Sequence, residues 1–162
     1  MAFTEKLLER VKHQIVYLHD RCIRKSGGTL GVLSEGNLEF VAYDILRFSE
    51  KHKNDPLLVA TYAYSIIATR HCFIDGNKRT SHIFAKQFLL DNRIHLILQY
   101  SGACSFILKI AEGNESLEDI AHWLRVNTEN FNEKDKEKYL KELIYDIEYG
   151  EKGKGARNEK EN

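Results

Sequence analysis

The sequence predicts an all-α protein folded as a single domain of about six to eight helices. Two observations support this prediction: apolar residues recur at intervals of three and four, and proline occurs only once in 162 residues. Hydrophobic residues make up 43% of the chain, which at this length is enough to build a substantial core. We therefore expect a globular helical protein.

The amino-terminal third predicts two amphipathic helices joined by a glycine-rich segment. The first helix carries an apolar stripe at three-four spacing: Leu8, Val11, Ile15, Leu18 and Cys22. It ends at Gly27 and Gly28, and the segment that continues to Gly36 is predicted to form a loop or a short hairpin. The second helix carries a similar stripe: Leu38, Val41, Ile45 and Phe48.

A third helix is predicted to begin at Pro56, with Asp55 or Asn54 as its cap. Its sequence, LLVATYAYSIIATR, is apolar on nearly every side, which is typical of a helix at the centre of its domain. A polar interruption follows. The segment NKRTSHIFAKQFLLDN then resumes the helical spacing and is predicted to end at Asn92.

The segment after Asn92 is less regular. RIHLILQY fits a strand or a helix equally well, because it is short and mostly apolar. A short helix is predicted to follow over residues 103–110. Ser116 is then predicted to cap the helix LEDIAHWLRV, with Asp119 in the capping-box position.

A last amphipathic helix is predicted from about Lys134 to Glu148. The residues expected to face inward are Leu140, Leu143, Ile144 and Ile147. Beyond it, GEKGKGARNEKEN offers almost nothing to pack in a core. We therefore assign residues 1–149 to the folded domain and residues 150–162 to a disordered polar tail.

The composition argues against several classes of function. Lys plus Arg equals Asp plus Glu at 24 each, so no overall field favours binding to nucleic acid or to a membrane. The cysteines Cys22, Cys72 and Cys104 are odd in number and show no CxxC spacing, which indicates a reducing compartment and neither disulfides nor a zinc site. With no signal peptide and no membrane-spanning apolar run, we expect a soluble cytoplasmic protein.

The polar interruption, HCFIDGNKRT at residues 71–80, has two interpretations. One is a plain corner between two helices, with Asn77 capping the second helix. That interpretation accounts for Gly76 and Asn77. It leaves Lys78 and Arg79 unexplained, because the positive end of a helix dipole disfavours cations in the first turn.

The other interpretation is a phosphate site. Free backbone N–H groups at a helix start bind anions, and Lys78 and Arg79 would add charged ligands there. Asp75 could hold Mg²⁺, which takes one or two carboxylates and completes its shell with water and phosphate. His71 suits a general base. Phe73 is expected to point inward and anchor the loop.

The same ten residues resemble the signature HxFx(D/E)(G/A)N(G/K)R of the Fic/Doc family. Lys78 places the chain nearer to Doc, the death-on-curing toxin, because Fic adenylyltransferases usually have glycine at that position. The resemblance continues in IVYLHDRCIRKSGGTLGVLSEGNLE and in SLEDIAHWLRVN, and it covers residues of about 8 to 128.

The resemblance implies an all-α bundle with the motif loop between two central helices. It also implies a protein substrate, ATP or another nucleoside triphosphate, and Mg²⁺. In Fic enzymes the motif histidine deprotonates a target hydroxyl that receives AMP, whereas Doc moves the γ-phosphate to a threonine of elongation factor Tu. Carried over by position, His71 is the base and Asp75 the metal ligand. The nucleotide phosphates would be bound by Gly76, Asn77, Lys78 and Arg79.

Two positions depart from the family pattern. His82 stands where Fic motifs commonly have a second arginine, which favours the Doc-like interpretation, whereas Gly76 is the Fic-like choice where Doc has alanine. The family's inhibitory pattern [ST]xxxE[GN] is missing, since Gly31 and Arg125 occupy the required Ser or Thr position of the nearest candidates. We therefore expect a separate antitoxin.

Three hypotheses remain: a Doc-like phosphotransferase toxin, a Fic-like adenylyltransferase, and a non-catalytic module that only binds anions. The segment Gly28 to Gly36 is either a connector or the family's flap, which aligns a target segment. Arg70 is either an ordinary helix-end cation or a further phosphate ligand. His82 is expected at the edge of the site. Structural or surface roles are expected for the other histidines: His13, His19, His52, His95 and His122.

Overall fold

The computed structural model describes residues 4–150, which form seven α-helices and one short antiparallel strand pair. The helices are α1 (Glu5–Ser26), α2 (Glu35–Lys51), α3 (Pro56–Thr69), α4 (Asn77–Asp91), α5 (Tyr100–Ala111), α6 (Leu117–Val126) and α7 (Lys136–Tyr149). The strands are β1 (Ile94–Leu96) and β2 (Thr128–Asn130), and a 3₁₀ turn spans Glu133–Asp135. The predicted all-α class and helix number are confirmed.

Side-chain caps set the starts of several helices. Asp55 accepts a hydrogen bond from Leu58 N and is followed by Pro56 at the first position of α3, as predicted. Ser116 and Asp119 form the predicted capping box of α6. Sequence chemistry alone therefore located both of these helix starts.

Helices α3 and α4 pack closely against each other at the centre of the protein. Two hydrophobic clusters flank them: one is built mainly with α1, α2 and α7, and the other with α5, α6 and β1. Each of the two helices contributes buried residues to both clusters. The expectation of a motif loop between two central helices is confirmed, because residues 70–76 join α3 to α4.

The ambiguous segment after α4 forms a strand. Ile94 pairs with Asn130 and Leu96 pairs with Thr128 in an antiparallel register. Leu96 is fully buried in the cluster beside α4, whereas Ile97, the next residue, is about half exposed. The pairing partner lies more than thirty residues further along the chain, so local periodicity could not identify this strand.

Helix α7 buries a narrower face than the sequence predicts. Leu143 and Ile147 are buried as expected, but Leu140 is 38% and Ile144 is 42% exposed, so this part of the prediction is wrong. The helix packs against α1 and α4 along one stripe, and Leu140 and Ile144 flank that stripe. Gly150 donates from its N–H to Asp146 O at the helix end. The rest of the predicted tail, residues 151–162, lies outside the described residues.

None of the helices between residues 4 and 150 combines the length and apolar character needed to cross a membrane.

Candidate active site

The motif loop is closed by the Asn77 side chain. Its Oδ1 accepts a hydrogen bond from Phe73 N at 3.0 Å, and its Nδ2 donates to Phe73 O at 2.9 Å. Phe73 itself is 1% exposed, which confirms that it anchors the loop inward. Asn77 is not the helix cap, so that prediction is wrong. The N-cap is Gly76, whose φ of 81° is left-handed, and Asn77 begins α4.

The loop after α1 lies across the motif loop. Val32 forms an isolated antiparallel bridge with Phe73, Leu33 N donates to Cys72 O at 2.8 Å, and Ile74 N donates to Gly31 O at 3.1 Å. Residues 27–34 therefore contact the site through backbone hydrogen bonds. The segment predicted as a loop or short hairpin makes its strand-like pairing with residues 72–74 and not within itself.

The Asp75 carboxylate is held by two backbone N–H groups. Gly76 N donates to Oδ1 at 2.7 Å, and Thr29 N donates to Oδ2 at 3.1 Å. The side chain remains 46% exposed, so it can still reach a ligand. Gly28 lies against it, since a Cβ on that residue would be 2.5 Å from Oδ2.

Arg79 joins the first turn of α4 to the end of α1. Its Nη1 donates to Ser26 Oγ at 2.8 Å and to Gly27 O at 2.7 Å, while Nη2 lies 3.9 Å from Asp75 Oδ1. The residue is 6% exposed. The carbonyl oxygens at the end of α1 carry partial negative charge, which accounts for a cation buried there.

His71 and Lys78 are the exposed polar members of the motif, and Ile74 is exposed as well. The His71 ring has no hydrogen-bond partner, and Lys78 has no ion-pair partner, among residues 4–150. His71 has a φ of 51°, an unusual left-handed conformation for a residue with a side chain, and one that costs about 1–2 kcal/mol. Arg70, which precedes it, lies over the Phe40 ring at 5.0 Å.

His82 lies in the core and not at the edge of the site, so that prediction is wrong. It is fully buried, and its Nδ1 lies 2.7 Å from the Tyr64 hydroxyl. Burial lowers the pKa of His82, although the neighbouring Asp146 carboxylate, 3.6 Å from Nε2, opposes this shift. Helix α4 turns His82 inward because it follows Arg79 by one helical turn.

Asp146 accepts from the buried Lys86 ammonium at 2.7 Å and from Tyr100 N at 3.0 Å. Burial by itself would raise the pKa of Asp146, but His82 and Lys86 outweigh burial and hold that pKa below its ordinary value. These contacts connect α4 to α7 inside the protein. They are structural polar groups that the helical periodicity does not reveal.

His19 contacts the motif loop, which the sequence interpretation missed. It is fully buried in α1, and its Nε2 lies 2.8 Å from Asp75 O. Its spacing from Ile15 and Cys22 matches the apolar stripe, and this spacing is the one signal in the sequence that His19 faces inward.

A sequence model of the Fic/DOC family matches residues 3–89, which is more than half of the 162-residue chain. The chain belongs to the Fic/DOC family. No curated protein matches the chain significantly. Membership implies a protein-modifying transferase, acting by AMP transfer or by phosphorylation, and enzymes of this family generally use ATP with Mg²⁺.

The residues present fit a metal–nucleotide ligand. Asp75 offers one partly exposed carboxylate, and Mg²⁺ commonly takes one or two carboxylates with water and phosphate as its other ligands. The α4 N-terminus and the Lys78 ammonium lie next to it in the chain and suit phosphate oxygens. Within residues 4–150, no cluster of three or more His, Cys, Asp or Glu side chains could hold a metal ion by itself.

Proposed function

We propose that this protein transfers the γ-phosphate of ATP to a serine or threonine hydroxyl of a target protein. The observation that carries the proposal is that the His71 ring and the Lys78 ammonium are both exposed in the short segment that also holds the partly exposed Asp75 carboxylate at the start of α4. A corner that served only to turn the chain would not need an exposed base and an exposed cation within eight positions.

His71 acts as the general base. Its ring is exposed and uncommitted among the described residues, so it can accept a proton from an incoming hydroxyl. The hydroxyl oxygen forms a bond to the γ-phosphorus, the bond from that phosphorus to the ADP oxygen breaks, and His71 takes the hydroxyl proton. Mg²⁺ bound with ATP would neutralise negative charge on the phosphates.

The nucleotide is bound by backbone and by cations in different ways. We assign phosphate binding to the backbone N–H of Asn77, because the Asn77 side chain is engaged with Phe73. The Gly76 N–H holds the Asp75 carboxylate beside the phosphates. Lys78 contributes an exposed ammonium. Arg79 supports the site from inside, with its guanidinium between the end of α1 and the Asp75 carboxylate.

Lys78 supports transfer of the terminal phosphate over transfer of AMP. Where the family's adenylyltransferases have glycine, a lysine side chain fills the space beside the helix start and brings a charge suited to a terminal phosphate. By the same resemblance, we propose that the protein acts in the cytoplasm as the toxin of a toxin–antitoxin pair. Its target would then be a translation factor such as elongation factor Tu.

The test is a pair of transfer assays with Mg²⁺ and bacterial lysate, using ATP labelled in either the γ- or the α-phosphate. We expect a γ-labelled protein band that disappears with His71→Ala, a change at an exposed position that leaves the fold intact. Loss of the general base should slow transfer by about 10²–10⁴-fold.

An α-labelled band would replace the proposal with AMP transfer. A γ-labelled band that persists undiminished in His71→Ala would remove His71 as the base. If neither label is transferred and Mg²⁺-ATP leaves the melting temperature unchanged, the protein does not use ATP in this way.

A further inference from the structure

His19 lies directly beneath the motif loop, on the side away from solvent. Its ring stacks on Phe73 with centroids 3.7 Å apart and planes 5° apart. One ring nitrogen, Nε2, is 2.8 Å from Asp75 O, and the other, Nδ1, is 2.8 Å from Asp20 Oδ1. The ring is therefore fixed by contacts on its face and on two edges.

The contact with Asp75 requires a hydrogen on Nε2. A backbone carbonyl oxygen can only accept, so Nε2 must donate. The Asp20 carboxylate, on the opposite edge, also can only accept, so its contact with Nδ1 is a second hydrogen bond that the ring donates, and this bond fixes the rotation of the ring. A phenylalanine in place of His19 could keep the stacking on Phe73 but could make neither hydrogen bond.

This hydrogen bond orients the peptide between Asp75 and Gly76. No described residue has a cis peptide bond, and in a trans peptide the C=O and N–H point in opposite directions. Since His19 holds the carbonyl, the Gly76 N–H is turned the other way, where it donates to Asp75 Oδ1 at 2.7 Å. The buried ring thus determines the position of an exposed carboxylate.

The loop approaches α1 too closely for a side chain at Gly76. A Cβ there would lie 2.9 Å from Ile23 Cδ1 and 3.5 Å from His19 Cδ2, and the φ of 81° adds strain. The absence of a side chain therefore lets Asp75 O come within hydrogen-bond distance of Nε2. Gly76 and His19 therefore serve the same contact between the motif loop and α1: Gly76 leaves room for it, and His19 donates its hydrogen bond.

We propose that His19 is a positioning residue of the transferase site. It donates from Nε2 to Asp75 O and thereby holds the Asp75 carboxylate and the first turn of α4 in the geometry that binds metal and nucleotide. The inference rests on the proposed function, because it takes Asp75 as the metal ligand. His19 itself touches neither nucleotide nor target.

The experiment compares His19→Phe, which keeps a ring, with His19→Gln, whose amide can still donate to Asp75 O. His82→Phe is the matched control, since His82 is also fully buried but contacts Tyr64 and not the motif loop. We expect His19→Phe to weaken Mn²⁺ binding to the ATP complex about tenfold or more, with metal-free ATP binding little changed. His19→Gln should recover most of that affinity. The control variant, His82→Phe, should bind Mn²⁺ in the ATP complex as tightly as wild type does.

Nuclear magnetic resonance gives a readout that does not depend on activity. In the wild-type protein, ¹⁵N correlation spectra of the imidazole should show a proton on Nε2, and the Gly76 amide signal should move in His19→Phe while the rest of the spectrum stays dispersed. An Nε2 without a proton would overturn the proposal even if every variant failed to fold.

The two proposals fail in different ways. If wild type and His19→Phe bind Mn²⁺-ATP and transfer phosphate equally well, His19 is not a positioning residue and the proposed function stands. If wild type binds no Mn²⁺-ATP, the proposed function falls. In that case the shift of the Gly76 amide signal in His19→Phe and the presence of a proton on Nε2 decide whether His19 holds the motif loop.

Discussion

Gly28 lies so close to Asp75 that any side chain at residue 28 would collide with the carboxylate, since an added Cβ would be 2.5 Å from Oδ2. The neighbouring Gly27 also has a positive φ, 99° against 123° for Gly28, but a Cβ on Gly27 would meet no atom within 4 Å. A comparison of substitutions at the two glycines therefore separates the effect of backbone strain from the effect of steric collision with the carboxylate.

We expect both Gly28→Ala and Gly27→Ala to lower the free energy of unfolding by about 1–2 kcal/mol, because both force alanine into a left-handed conformation. Only Gly28→Ala should also weaken Mn²⁺ binding in the presence of ATP, because the carboxylate must move away from Thr29 N. Urea denaturation and metal titration measure the two effects. Equal metal affinity in both variants would mean that the carboxylate adjusts without loss.

Asn77→Ala should destabilise the protein. The change removes the hydrogen bonds that the side chain makes to both Phe73 N and Phe73 O, and it leaves those backbone groups without these partners, at a cost of about 1–3 kcal/mol.

The matched control is Asn92→Ala at the other end of α4, where a single exposed hydrogen bond to Phe88 O is lost. The midpoints of denaturant unfolding, compared at an equal dependence of the unfolding free energy on denaturant, measure the loss of stability in the two variants. A smaller loss for Asn77→Ala than for Asn92→Ala would show that the motif loop does not depend on this side chain.

Lys78→Ala should leave stability within about 0.5 kcal/mol of wild type, because Lys78 is exposed and forms no ion pair among the described residues. Loss of a charged hydrogen bond to phosphate should cost about 1.5–3 kcal/mol of nucleotide binding. Calorimetric titration with ATP and Mg²⁺ measures it. The control is Lys109→Ala, an exposed lysine on α5, and an equal effect of the two changes would argue against a specific contact.

The stability of the fold should fall in acid, beginning with His82. Burial lowers the pKa of His82 in the folded protein from an ordinary value of 6.5. As pH falls below about 6.5, the unfolded chain therefore takes up a proton that the folded chain refuses, and stability decreases until the folded pKa is reached. Asp146, whose folded pKa is also lowered, adds a second loss as pH falls below about 3.8.

Urea denaturation between pH 5 and pH 8 checks the His82 contribution, with exposed His13 as the comparison. His13→Gln should leave the slope of stability against pH unchanged, whereas His82→Gln should flatten it. A slope that persists in His82→Gln would assign the acid sensitivity to another group.

The sequence predicts much of this site because the motif is local. His71, Asp75 and Lys78 lie within eight consecutive positions. A phosphate site built from them also needs free backbone N–H groups, which a helix that starts after Gly76 provides. The prediction that Phe73 points inward is also confirmed, since a large apolar side chain in a polar loop is most stable when it is buried. Local chemistry and helical spacing predict most of this loop, although they miss the role of Asn77, whose side chain bonds Phe73 and does not cap α4.

Apart from the Asn77 cap, the errors occur where the partner is distant in the chain. His19 reaches Asp75 over 56 positions, and helical spacing treats it as any core-facing residue. His82 was expected at the edge of the site, but its partner Asp146 lies on α7 and makes an interior position tolerable. Leu140 and Ile144 have the spacing of a buried stripe, yet their exposure depends on how α7 is rotated against α1. No local sequence pattern predicts the contacts of these two histidines or the rotation of α7.

The distance between α1 and the motif also affects when the site can form. Ser26 and Arg79 are 53 positions apart, and His19 and Asp75 are 56 apart. During synthesis, α1 leaves the ribosome first and can pack against α2, but Ser26 and His19 lack their motif partners until residues 75–79 follow. Incomplete chains that end before Arg79 cannot assemble the site, because the end of α1 then lacks the guanidinium that it binds.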